Sequence, residues 1–242
     1  MASFDSFEAL SFDCYGTLID WETGITKVIA GWPQPLGVAL DREDILSAFA
    51  AHESMVQSAK PRTSYTEILR ECAFLVADEL GIKITDQQAA ELASSVGDWP
   101  PFSDSVEALK LLSKKYKLII LSNVDRISFS RSNELLGTNF DLVITADDVG
   151  SYKPNSANFQ LLIEKLSYLG IEKDRILHVA QSLFHDHFPA KSVGLSSVWI
   201  DRRAHLSGWG ATPPPQGSVE PDWRFNSMAD FATACIQQKR SN

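Results

Sequence analysis

Ala9-Leu10-Ser11-Phe12-Asp13-Cys14-Tyr15-Gly16-Thr17-Leu18 is a short apolar run that ends in a carboxylate and breaks at a glycine. Its first six residues read as a buried strand, and Gly16 marks the tight turn that follows. Residues 117–121, 142–145, 176–180 and 197–200 have the same short, apolar, β-branched-rich character. Amphipathic stretches at 104–115, 126–136, 155–169 and 185–193 separate them and read as helices. Strands that alternate with helices predict an α/β fold, a Rossmann-like parallel sheet covered on both faces.

Residues 21–99 interrupt this rhythm and carry no strand signal. Asp41 reads as the N-cap of a helix that continues through Phe49 and Met55. Ser64 opens another, with Ile68, Leu69, Cys72, Leu75, Val76 and Leu80 on its apolar positions and Gly81 closing it. Asp86 starts a third. The segment is therefore expected to be a helical cap domain inserted into a core made of residues 1–20 and 100–242. Trp99-Pro100-Pro101 marks the return, because consecutive prolines stiffen the chain and end helices. Residues 205–221 are rich in Gly and Pro and read as a surface loop, and a last helix is expected over 228–237.

Whole-chain properties narrow the class. Of 242 residues, 44% are hydrophobic, enough for a substantial core, and the formal net charge is -9. That charge disfavours nucleic-acid and anionic-membrane partners, which select basic surfaces. No apolar run approaches the ~20 residues of a membrane span. The start, Met1 to Glu8, lacks a basic region followed by an apolar one, so no signal peptide is expected. Cys14, Cys72 and Cys235 are widely spaced and suit neither a disulfide framework nor a metal site. A cytoplasmic location is the expectation.

In an open parallel sheet, ligands bind beyond the carboxyl ends of the strands. Asp13 ends the first strand, Ser122-Asn123 the second, Tyr152-Lys153-Pro154 follows the third, and Gln181-Ser182 then Asp186 follow the fourth. Two carboxylates, one ammonium and several small polar groups thus gather at one edge. A carboxylate can attack an electrophilic carbon or phosphorus and form an ester. Lys153 would favour the ionised form of Asp13. Thr17, Ser122, Asn123 and turn N–H groups would hold a substrate anion. Asp186 would orient and deprotonate the water that hydrolyses the ester. His185 and His187 flank Asp186; His185 is taken as a site residue. His178, inside a strand, is read as structural. His185, Asp186 and His187 are consecutive, so their side chains diverge and no metal site is expected. Trp32 and Trp99 read as packing residues, Trp21 as a candidate pocket wall, and Arg202-Arg203 as a solvated pair.

These four segments, Phe12 to Leu18, Leu121-Ser122-Asn123, Tyr152-Lys153-Pro154 and Asp186, resemble the four motifs of the haloacid dehalogenase superfamily. The resemblance covers nearly the whole chain, since residues 21–99 match the family's cap in position and length. Superfamily phosphatases carry a second Asp two residues after the nucleophile, which protonates the leaving alcohol and helps hold magnesium. Tyr15 stands there instead, as in the L-2-haloacid dehalogenase branch, which uses no metal or other cofactor. With a phenol pKa of ~10, Tyr15 is a poor general acid near neutrality. The resemblance implies that Asp13 attacks C2 of a small carboxylic acid with inversion, and that Asp186 activates water. Thr17, Ser122 and the backbone near Cys14 and Tyr15 would hold the substrate carboxylate, and Lys153 would pair with Asp13. Dimers occur in that branch, so a homodimer is expected by analogy.

The chain also departs from the branch. A cap Arg that takes up halide is missing from the matching stretch, Ala48 to Glu53. The fourth motif is one residue longer, with Gln181, Ser182 and His185 before Asp186, and Phe159 replaces a Tyr. The leaving group is therefore open: halide, phosphate, or the nitrogen or oxygen of a strained ring such as an aziridine or epoxide carboxylate. In the ring case His52, Glu53, His185 or Gln181 would supply the proton. A silent binding protein is disfavoured because Asp13, Lys153 and Asp186 are all present.

Overall fold

The computed structural model describes residues 3–33, 40–215 and 217–237. Its centre is a six-stranded sheet in the order β3-β2-β1-β4-β5-β6: β1 (Ala9–Phe12), β2 (Lys117–Ser122), β3 (Leu142–Thr145), β4 (Ile176–Ala180), β5 (Ser196–Ile200) and β6 (Trp223–Phe225). Every pairing is parallel. β1 lies at the middle, with Leu10 opposite Leu118 on one side and Leu177 on the other. That register aligns the carboxyl ends of β1, β2 and β4.

Successive strand residues point to opposite faces. Leu10, Phe12, Leu118 and Ile120 enter one apolar cluster, with Leu109, Leu112, Phe231 and Cys235 from the covering helices α5 (Ser105–Leu112) and α10 (Met228–Gln237). Ala9, Ile119, Leu121 and Ile144 enter the other, against Phe159, Leu162 and Leu166 of α8 (Ser156–Tyr168) and Ala190 of α9 (Phe188–Ser192). Burial on both faces explains why these strands read as continuous apolar runs.

Between β1 and β2 the chain is helical: α1 (Trp21–Ile29), α2 (Arg42–Ala59), α3 (Tyr65–Glu79) and α4 (Asp86–Ser94). Each start carries a cap that relieves unpaired backbone donors. Asp20 accepts from Thr23 N–H, Asp41 from Glu43 and Asp44, and Ser64 from Glu67, while Thr85 and Gln88 form a capping box. The two strands of chain joining this segment to the sheet run side by side. Asp20 N–H donates to Pro100 O at 2.8 Å, and Phe102 N–H to Leu18 O at 3.0 Å.

Several features depart from the sequence reading. β1 stops at Phe12, two residues before the apolar run ends. Helix α1, the short α7 (Ala146–Val149) and strand β6 were not expected. The helix expected from residue 185 begins instead as a π-helical turn, Leu183–His187. Residues 205–221 are not wholly a surface loop: Gly210, Ala211 and Thr212 are buried. Nor is Arg202-Arg203 a solvated pair. Arg202 donates to Asp104 and to Thr17 O, and Arg203 bridges Glu22 and Glu43 at 2.6 Å each. Among the described residues no helix is long and apolar enough to cross a membrane.

Candidate active site

At the carboxyl edge of β1, β2 and β4 lies a cavity of about 30 Å³, lined by residues that include Asp13, Tyr15, Ser122, Asn123, Lys153, Ser182, His185 and Asp186. Trp21, Glu53 and Tyr65 line it from the helical segment, and Thr212 from the Gly/Pro-rich loop. By the ~10–15 Å³ that one water needs, the space holds roughly two or three waters.

Lys153 organises the site. Its Nζ donates to Asp13 Oδ1 at 2.9 Å, to Asp186 Oδ1 at 2.6 Å and to Leu121 O at 3.0 Å. All three ammonium protons are thereby engaged, and the side chain is fully buried. Burial works against the charge of Lys153, but the two carboxylates outweigh it and hold its pKa above the ordinary value. Asn123 fixes the Lys153 backbone from both sides, accepting from its N–H at 2.7 Å and donating to its carbonyl at 3.0 Å.

The other Asp13 oxygen, Oδ2, accepts from Thr17 Oγ1 at 2.7 Å, and Thr17 in turn accepts from Gln181 N–H at 2.9 Å. Burial raises the Asp13 pKa, with Lys153 and Thr17 opposing and the charge of Asp186 adding to the rise. For Asp186 burial pushes up too, but Lys153 and His178 prevail and its pKa falls well below the usual carboxylate range. Its Oδ2 is buried without a hydrogen-bond partner, as is Ser122 Oγ. The turn after Asp13 depends on Gly16, whose φ is 92°; a Cβ there would lie 2.9 Å from Trp21 Nε1.

Tyr15 lines the cavity, and its hydroxyl lies 2.7 Å from Ser132 Oγ. Burial takes its pKa well above the ordinary phenol value. Glu53 is 3% exposed and accepts from Tyr65 OH at 2.9 Å. Burial raises its pKa to about 7, against the hydrogen bond from Tyr65. His185 lies 3.3 Å from the Ser54 and Ser182 hydroxyls, and burial lowers its pKa to about 4.

Not every expected site residue reaches the cavity. His52 pairs with Glu79 Oε2 at 2.6 Å on the helical segment, because neighbouring helix residues are ~100° apart and Glu53 takes the inward direction. Cys14 is buried in the apolar cluster, and burial raises its thiol pKa well above the usual value. Gln181 lies behind the wall, where its Oε1 accepts from Thr212 Oγ1 at 3.2 Å. His187 is a satisfied core residue, donating from Nε2 to Ala180 O and lying 3.0 Å from Ser197 Oγ. His178 departs from the purely structural reading: its Nε2 is 3.0 Å from Asp186 Oδ1 and its Nδ1 2.8 Å from Ser11 Oγ. Tyr65, Val124 and Thr212 were missed. Tyr65 looks like any apolar position of α3, and nothing local marks Thr212. Among the described residues no cluster of three or more His, Cys, Asp or Glu side chains is placed to hold a metal ion.

Known proteins share this architecture. The chain is 24% identical to an (S)-2-haloacid dehalogenase of Pseudomonas sp. (strain YL), over 93% of this chain and 92% of that one. It is 23% identical to the Rhythmically expressed gene 2 protein of Drosophila melanogaster, over 96% of each. The fold matches that of L-2-haloacid dehalogenase from Xanthobacter autotrophicus, solved with chloropropionic acid covalently bound, with a TM-score of 0.77 at 19% identity, covering 98% of this chain and 100% of the other. The family model of haloacid dehalogenase-like hydrolases matches residues 7–183. By that match, which spans β1 to β4 and includes Asp13, Ser122, Asn123 and Lys153, the chain belongs to the haloacid dehalogenase-like hydrolases.

Proposed function

We propose that the chain hydrolyses a small carboxylic acid substituted at C2, by way of an ester on Asp13. The observation that carries this reading is the buried array Asp13–Lys153–Asp186, in which one ammonium joins two carboxylates and one Asp186 oxygen stays free. Lys153 and Thr17 favour the ionised form of Asp13 against its burial and aim it at the cavity, as a nucleophile requires. An Asp13 oxygen forms a bond to C2 and the C2 substituent leaves with the bonding pair. Asp186 Oδ2 then accepts a proton from a water attacking the ester carbonyl, with His178 and Lys153 fixing the carboxylate.

The substrate carboxylate is held by Ser122 Oγ and by backbone N–H groups of the turn at Tyr15. The small cavity favours an acid of few carbons. Tyr15, with its hydroxyl turned to Ser132, is no proton donor to an alcohol leaving group, which argues against phosphate-ester hydrolysis. The (S)-2-haloacid dehalogenases among the relatives and the covalent chloropropionic acid of the Xanthobacter enzyme support displacement at C2.

Single-turnover hydrolysis of 2-bromopropionate in oxygen-18 water tests the route. The label is expected in Asp13, with unlabelled oxygen in the first-turnover 2-hydroxy acid. Label in that product, or turnover by Asp13→Asn, would overturn it.

A further inference from the structure

Glu53 has no place in the departure of a halide. It projects from α2 into the same cavity as Asp13, 3% exposed, with Tyr65 OH donating to it at 2.9 Å. A departing anion beside a carboxyl group is disfavoured whenever that group is ionised. Nor, among the described residues, does a free cation line the cavity to receive it. Lys153 is the one lysine or arginine among the lining residues, and its three protons face Asp13, Asp186 and Leu121 O. His185 is the other nitrogen base on the wall, buried and flanked by the hydroxyls of Ser54 and Ser182. What the wall offers in the same cavity as Asp13 is a protonatable carboxyl, Glu53.

This inference rests on the reading of Asp13 as nucleophile. We propose that Glu53 is the catalytic proton donor to the leaving atom, and that the substrates are small carboxylic acids whose C2 bears the nitrogen or oxygen of a strained three- or four-membered ring. An Asp13 oxygen bonds to C2; the bond from C2 to the ring heteroatom breaks and its electron pair stays on that atom. The heteroatom takes the Glu53 proton, giving an amine or hydroxyl tethered within the same molecule. Water then adds to the ester carbonyl, C2 leaves as its alcohol, and Asp13 returns as a carboxylate. Asp186 takes one proton of the water and passes it to the departing C2 oxygen, and the other proton restores Glu53, so the net change is addition of one water. For a ring nitrogen the proton count is the same whether the proton starts on the ring or on Glu53.

The carboxyl fits the task. Burial raises its pKa to about 7, which keeps a protonated fraction near neutrality, where an ordinary Glu at ~4.3 would keep almost none. No leaving molecule has to escape between the two steps, which suits a cavity of about 30 Å³.

The test compares oxirane-2-carboxylate, aziridine-2-carboxylate and azetidine-2-carboxylate with 2-bromopropionate, following ring opening by the gain of one water in the product mass and halide release by ion chromatography. Wild type is expected to open at least one ring. Glu53→Gln, which still accepts from Tyr65, should lower kcat/KM for that ring about 100-fold or more and raise the rate of halide release. Glu53→Asp, which withdraws the carboxyl by one methylene, should lower ring opening at least ~10-fold and serves if the Gln variant does not fold. Bromide release without opening of any ring, or ring opening unaffected by the folded Glu53 variants, would overturn the role of Glu53 and leave Asp13 as nucleophile. Turnover by Asp13→Asn on either substrate class would overturn the underlying mechanism instead.

Discussion

Lys153 Nζ lies closer to Asp186 Oδ1, at 2.6 Å, than to Asp13 Oδ1, at 2.9 Å. A single ammonium thus serves two buried carboxyl groups. The stability of this array depends on all three members. Lys153→Met would leave Asp13 and Asp186 facing each other without a counter-ion. Loss of a buried pair's partner costs about 3–5 kcal/mol. Turnover should vanish and urea denaturation should show a loss in that range; a loss below ~1 kcal/mol would mean that the array is not the anchor of this edge.

Asp186→Asn should separate the two chemical steps. Asp13 can still attack C2, but the free oxygen that takes a proton from water is replaced by a poor base. The ester then accumulates. Mass spectrometry of the peptide containing Asp13, after incubation with 2-bromopropionate, should show the added mass of a 1-carboxyethyl group in the variant and not in wild type. An unmodified peptide in a folded variant would count against Asp186 as the water-activating group.

Glu53 should make the folded state sensitive to pH. Its folded pKa of about 7 lies above the ~4.3 of an unfolded chain, so the folded protein keeps a proton that the unfolded chain has released. Its contribution therefore declines as pH rises from ~4.3 to about 7 and is flat beyond, by on the order of 3 kcal/mol. His185 and His187, held near 4 by burial, act oppositely: their contribution falls as pH drops from ~6.5 through about 4. Asp13 and Tyr65 act on Glu53 in the wild type and remain in the variant, so the difference between wild type and Glu53→Gln isolates one group. The variant should gain relative stability across pH 4.3 to 7, measured by urea denaturation at stepped pH. A pH-independent difference would mean that Glu53 is ionised throughout.

Gly210→Ala should disturb the cavity from a distance. Gly210 has φ 61°, and a Cβ there would fall 1.8 Å from Glu22 Oε1 and 2.7 Å from Arg203 Nη1. A non-glycine residue in that conformation costs about 1–3 kcal/mol, before Glu22 and Arg203 are displaced. Two residues on, Thr212 lines the cavity. A fall in thermal midpoint together with a higher KM is expected; an unchanged KM would separate the loop from substrate binding.

Much of this was legible in the sequence for a physical reason. Strands buried on both faces announce themselves as apolar runs, and the bounds of β3, β4 and α6 (Arg126–Leu136) agree with the sequence reading. Asp13, Lys153 and Asp186 could be grouped because parallel topology sends every strand end to one edge. Pairings without local marks were not legible. The three-residue β6 places Arg224 between two half-buried aromatics and reads as loop. Arg203 meets Glu22 and Glu43 only through tertiary folding. The choice of Glu53 over His52 turns on helix phase, and the approach of Thr212 on a loop whose composition says only that it turns.

The central position of β1 bears on when the protein becomes an enzyme. Asp13 meets Lys153 across 140 positions of chain, and β1 finds its partners only after β2 and β4 exist. Helices such as α2 and α3 can form within microseconds from neighbouring residues, whereas joining distant strands waits on slow loop closure. On refolding from denaturant, helical circular dichroism should return before catalytic turnover. During synthesis Asp13 is made 140 positions before Lys153, so it acquires that cation, and Asp186 beyond it, only after β2 and β3 have followed.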